Sequence, residues 1–179
     1  MPGDGGLLWK EYYASGVEHI DNQHKELFKT ATDNLLDLIQ SPKSFRNKQG
    51  IVSSIQFLKN YTLRHFKDEQ DYARSAGYPH LNAHILIHEA LKADVGKYEK
   101  LLMDSNFALP MVKRFLAFVL SWLMQHVGEE DVSMLQYALA KNNEKQAEAQ
   151  RQAAERLAEQ QAAKQHAQQN ELDGTTESN

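Results

Sequence analysis

Apolar residues recur along this chain at steps of three and four, the rhythm of one buried face on an α-helix. The first stripe is Leu27, Phe28, Ala31, Leu35, Leu38 and Ile39, with His24 in phase. It predicts a helix over 22–39, with Asp21 as N-cap and Ser41-Pro42 as the stop. A second stripe, Ile51, Ile55, Leu58, Thr62, His65, Glu69 and Tyr72, predicts a helix over 48–73, closed by the turn Gly77-Tyr78-Pro79. The third, Leu81, His84, His88, Leu91, Val95, Tyr98 and Leu102, predicts a helix over 80–103. After a break at Ser105-Asn106, a fourth runs over 110–126 with Val112, Phe115, Trp122, Leu123 and His126. Pro110 suits its first turn, and Gly128 interrupts the pattern. No alternating Val/Thr-rich run predicts a strand.

Four amphipathic helices on short links predict an all-α fold, an antiparallel up-down four-helix bundle over 22–140. Before it lies an N-terminal arm, 1–21, whose Trp9, Tyr12 and Tyr13 are expected to pack back on the helices. After it comes a polar tail, 141–179, rich in Ala, Gln, Glu, Lys and Arg. These are good helix formers, but Leu157 is the only large apolar residue from Asn142 to Asn170, so no stripe is available to bury. The tail reads as an exposed helix continuing from Leu135–Leu139, unstructured from Leu172 onward, and as a candidate docking segment for a protein partner. A coiled coil would need repeated apolar a and d residues.

Composition narrows the chemistry. The chain of 179 residues has no cysteine, which excludes disulfides, thiolate zinc sites and iron–sulfur clusters. Its net charge of −4 provides no basic footprint for nucleic acid. No apolar run approaches a membrane span, and the first residues lack the basic and apolar regions of a signal peptide, so a soluble cytoplasmic protein is expected.

The stripes carry residues that do not belong in an ordinary core. His24, His65, Glu69, His84, His88 and His126 all point inward, and Asp131 follows shortly after. His65 with Glu69 and His84 with His88 are i, i+4 pairs, one turn apart on one helix face. A single histidine on a stripe is usually a satisfied core residue. Five from four helices, with carboxylates that are costly to bury unpaired, point to metal. His19, His80 and His166 lie off the stripes and read as non-ligands, with His19 placed before the first helix. Imidazole and carboxylate donors suit iron, zinc, manganese or copper. If both carboxylates and a solvent-derived oxygen bridge two metals, the five histidines split three and two. A six-coordinate ion with two histidines then keeps one open position.

The run from Gly16 to Phe28 (Gly-Val-Glu-His-Ile-Asp-Asn-Gln-His-Lys-Glu-Leu-Phe) resembles the opening of the bacteriohemerythrins. So do His65-Phe66-x-x-Glu69, Gly77-Tyr78-Pro79, His84-x-x-x-His88 and Trp122-Leu123-x-x-His126-x-x-x-x-Asp131, together with the arm bearing Trp9. The resemblance covers roughly Leu8 to Ala140 and fills all seven ligand positions in order. It implies a non-haem di-iron protein that binds dioxygen reversibly. His84, His88 and His126 would hold the saturated iron, His24 and His65 the open one, and Glu69 and Asp131 would bridge. Leu27, Phe66, Trp122 and Val127 would line the dioxygen pocket and exclude water. The chain departs from the family at Gln70, where a second acidic residue is frequent, at Tyr72-Ala73, where a methionine is common, and in the tail.

Such a protein is expected not to be an enzyme. Di-iron oxidases and ferritin-like bundles use Glu-x-x-His at i, i+3, and no histidine here has Glu three residues before it. An oxygen or nitric oxide sensing module, or a di-iron oxidase or peroxidase, is the alternative.

Overall fold

A computed structural model describes residues 8–34 and 48–176, with side chains described over 8–32 and 48–165. Leu35, Leu38, Ile39, the Ser41-Pro42 stop and the side chain of His166 lie outside that set. A 3-10 turn, Glu11–Tyr13, precedes α1 (Glu18–Lys29), which passes into a π-helical turn, Thr30–Asn34. Then come α2 (Lys48–Ala76), α3 (Leu81–Asp104) and α4 (Leu109–Gln125). A second π-helical segment, His126–Asp131, leads into α5 (Val132–Thr176). Among the described residues there is no strand.

Successive helices from α1 to α4 run in opposite directions, as the core residues show. One apolar cluster holds Val17, Ile20, Ala73, Met134 and Leu135. Two others hold Leu27, Phe28, Leu58, Leu116 and Leu123, and Ile51, Ile55, Leu102, Val112 and Phe115. α1 therefore runs from the first end to the second, α2 back, α3 out again and α4 back, giving the antiparallel up-down bundle. α1 packs on α2, α2 on α3, α3 on α4, and α4 on the π turn after α1, which closes the ring. A fully buried Phe28 or Leu27 contributes about 1.5–3 kcal/mol. His24, His65, Glu69, His84, His88, His126 and Asp131 occupy the layer between the two apolar ends.

The helix boundaries correct several expectations. α1 starts at Glu18, so His19 lies in its first turn, where it is exposed, and Asp21 is not the N-cap. The Asp21 carboxylate instead reaches backward. It accepts the N–H of Ser15 at 2.8 Å, the Ser15 hydroxyl at 2.7 Å and the N–H of Gly16 at 3.1 Å. A side chain inside the first turn thus ties down the approach to the helix, much as a capping box does. α2 continues to Ala76 because Gly77, at φ +73°, supplies the left-handed residue of a Schellman close. There Tyr78 N–H donates to the Ala73 carbonyl at 3.0 Å, and Gly77 N–H to that of Arg74 at 3.1 Å. Gly128 does not end the fourth helix: the backbone stays helical and widens around it.

The aromatic arm is only partly inserted. Trp9 and Tyr13 are buried and pack on Phe28, with ring centroids at 5.9 and 5.0 Å. Tyr12 stays exposed, its hydroxyl donating to that of Tyr13 at 2.9 Å. Residues 140–179 form a compact unit separate from 1–139. The helix there is exposed from Asn143 to Gln165 and extends through Leu172 to Thr176, past the point where an unstructured end was expected. A run of helix formers propagates an existing helix cheaply.

Candidate metal centre

Three of the four bundle helices place their candidate ligands by ordinary α-helical spacing. His24 lies mid-way along α1, His65 and Glu69 are one turn apart on α2, and His84 and His88 one turn apart on α3. His126 and Asp131 need something else. Residues five apart on an α-helix diverge by ~140°. Here the backbone between them is π-helical, and Val132 N–H bonds back to the Val127 carbonyl five residues earlier, which brings both side chains to the same face. All seven side chains are 0–3% exposed.

They converge as two groups that share one carboxylate. His84, His88, His126 and Asp131 offer donor atoms within 4.8 Å of one another, as do His24, His65, Glu69 and Asp131. Asp131 divides its oxygens: Oδ1 lies 3.0 Å from His126 Nε2 and 3.3 Å from His84 Nε2, while Oδ2 lies 3.3 Å from His24 Nε2. Glu69 Oε1 lies 3.2 Å from His24 Nε2, and its Oε2 faces His65 Nε2 at 3.5 Å and His88 Nε2 at 3.6 Å. Both carboxylates therefore touch both groups. His19 and His80 are exposed and belong to neither.

These contacts fit metal better than hydrogen bonding. His84 Nε2, Glu69 Oε2 and both oxygens of Asp131 are fully buried and make no hydrogen bond of acceptable geometry. His88 Nε2 and His126 Nε2 face each other at 2.9 Å. Nitrogens bound to one ion at ~2.1 Å and at right angles sit ~3 Å apart. Leaving two carboxylates buried without such partners costs several kcal/mol per ion.

The electrostatics favour the same chemistry at three of the histidines, and around His24 two carboxylates supply the negative charge a cation would meet. Burial pushes His65 well below the ordinary imidazole range, helped by the charge of His24. It also lowers His84 to about 4, and with His84 beside it lowers His88 to about 2. Neutral imidazoles with free lone pairs are what metal ligation requires. Burial penalises a charged His24 too, but the Asp131 and Glu69 carboxylates beside it prevail and raise it to about 9. Glu69 is raised to about 7 by burial and by negative Asp131. Burial also acts to raise Asp131, yet His126 and His24 hold it well below the usual carboxylate range.

A surrounding shell orients the rings. With Nε2 inward, His65 Nδ1–H donates to Gln23 Oε1 at 2.9 Å, and Gln23 Nε2 donates to Asp68 at 2.7 Å. The Gln70 amide lies 3.1 Å from His88 Nδ1. Phe66 stacks on His88 with centroids at 3.5 Å, and Trp122 on His126 at 4.1 Å. The sequence pattern did not single out Gln23 or Asp68, and it marked Gln70 only as a departure. The available signal was their position next to ligands, at residues 23, 68 and 70. Leu27, Phe66, Trp122 and Val127 all line one apolar cavity of about 200 Å³, whose wall also includes His65 and Asp131. The cavity thus meets the two-histidine group at His65.

Residues 15–138 match the family model described as the Hemerythrin HHE cation binding domain. The chain is similar to a bacteriohemerythrin of Clostridium acetobutylicum, 30% identical over 125 residues, which cover 70% of this chain and 95% of that protein. It is 27% identical to a bacteriohemerythrin of Pseudomonas aeruginosa over 125 residues, 70% of this chain and 76% of that one. Hemerythrin subunit alpha of Lingula anatina is 26% identical over 125 residues, 70% of this chain and 89% of that subunit. With the family model spanning most of the chain and the site's side chains gathered in one buried layer, the chain belongs to the hemerythrin family.

Proposed function

We propose that the seven side chains hold two non-haem iron ions and that the protein binds dioxygen reversibly, as a carrier, store or delivery protein. The observation that carries this reading is the asymmetry of the layer. Three histidines gather on one side and two on the other, two carboxylates touch both, and His65 of the two-histidine group is the candidate ligand histidine that lines the apolar cavity. In this reading His84, His88 and His126 hold one iron, His24 and His65 hold the other, and Glu69 and Asp131 bridge. When bound, the iron pair supplies the reversible two-electron chemistry that dioxygen binding needs.

The chain's own residues supply access, geometry and exclusion. Gln23 fixes the His65 ring on the cavity side through Nδ1, and Asp68 fixes Gln23. Phe66 and Trp122 clamp His88 and His126 by stacking and turn apolar edges to the cavity. Leu27 and Val127, both buried, complete a wall that keeps water away. Such a wall slows the oxidation that would convert a carrier into a spent ferric protein. A histidine-rich donor set without Glu-x-x-His supports binding rather than oxidase chemistry.

The test is to load the full chain anaerobically with ferrous iron, record the visible spectrum, admit dioxygen and then purge it. A coloured form with about two irons per chain that fades on purging is expected. Rapid irreversible conversion to a ferric form, with peroxide released or a substrate consumed, would overturn the carrier reading in favour of an oxidase.

A further inference from the structure

The cavity beside the candidate metal centre is larger than a diatomic gas requires. Its lining includes Leu58, Val119 and Trp122 with His65, Leu27 from α1 and Asp131, and exposed Leu63 with partly exposed Lys59 and Lys92 forms the rim. Its volume of about 200 Å³ exceeds that of apolar cavities of ~150 Å³ that stay dry and take up benzene. Scaled from that case, the space fits about eight non-hydrogen atoms. An apolar molecule that fills this space gains dispersion contacts with the lining. The rim does not call for a charged ligand. Lys59 is already paired with Glu99 at 2.7 Å, and Lys92 with Glu89 at 2.7 Å. The Lys92 ammonium also lies 5.9 Å from the centroid of the Phe66 ring. Leu63 is exposed at the rim, so the path from solvent has an apolar side.

We propose that this cavity is a binding site for a small neutral apolar organic molecule, of the size of a single aromatic ring or a six- to eight-carbon chain, held beside His65. The proposal goes beyond dioxygen binding and does not depend on which metal the centre holds, because the lining is predominantly apolar in either case.

Calorimetric titration of the full iron-loaded chain with benzene in sealed cells tests it. One saturable site per chain is expected, weakened at least tenfold in Val119→Phe, whose ring would occupy the space. Where circular dichroism shows that Val119→Phe has lost its fold, Val95→Phe, at another lining position, serves the same purpose. A crystal soaked in bromobenzene is expected to show the bromine between Leu58, Val119 and Trp122. Heat that does not saturate, affinity unchanged in a folded filling variant, or bromine located elsewhere would each overturn the proposal. Benzoate binding more tightly than benzene would overturn the neutral class of ligand. None of these readings uses the dioxygen spectrum, so failure here leaves the carrier reading untouched, and the reverse also holds.

Discussion

Gln23 illustrates how much of this centre depends on residues that touch no ligand position from inside. Its amide oxygen accepts the outward N–H of His65, and its amide nitrogen is anchored by Asp68. Removing such an outer partner usually costs ten- to a hundredfold in metal affinity. Gln23→Ala is therefore expected to lower iron affinity by about that factor while the helix content of the chain is unchanged. Iron retained against a graded chelator measures it, and wild-type retention would show that His65 needs no external orientation. The seven inward residues themselves were legible in the sequence, because each falls on or next to an apolar stripe where a polar side chain has no ordinary reason to be. Gln23 was not, since it flanks the stripe, and a half-buried glutamine beside a helix face has no periodic signature.

At the scale of elements, the α-helices followed their hydrophobic period to within a few residues, while the departures came from backbone events without a period. Asp21 looked like an N-cap from its position, but its carboxylate serves Ser15 and Gly16 from within the first turn. The widening at His126–Asp131 had one sequence sign, a histidine and an aspartate five apart that must share a face. Gly128 has its place there for lack of room: a Cβ at that position would stand 3.1 Å from Cε1 of buried Tyr13. Gly128→Ala is expected to destabilise the chain by about 1–3 kcal/mol, as overpacking against a rigid neighbour does. An unchanged urea midpoint would refute that. Tyr13 carries a second consequence. Burial, and then the neighbouring Tyr12 hydroxyl, push its phenol from 10.0 up to about 12. The unfolded chain loses that proton near pH 10 and the folded chain only near 12, so stability is full below pH 10 and falls across that interval. Tyr61 and Tyr78 shift in the same direction. The measurement is therefore the difference between wild type and Tyr13→Phe, with the variant expected to lose less stability from pH 10 to 12.

For the whole molecule, the chain divides after Leu139, and among the described residues the buried core lies in the first unit. Ala138 is fully buried, whereas the residues from Asn143 to Gln165 are exposed. Ending the chain after Lys141 is expected to leave iron content and dioxygen binding unchanged and to shift unfolding free energy by less than about 0.5 kcal/mol. Loss of bound iron in that shortened chain would show that the tail supports the centre. The π-helical segment bears on a different property, the tolerance of the chain to changes of length. Deleting one residue from an α-helix turns everything after it by ~100°, which in this bundle would swing Met134, Leu135 and Ala138 out of the core. Between His126 and Asp131 the helix already holds one residue more than an α-helical ladder uses. A deletion there can close the backbone to regular α-helix and leave the downstream faces where they are. That short stretch is one place where the chain can lose a residue and keep its bundle, and what would change first is the distance between the two side chains that bracket it.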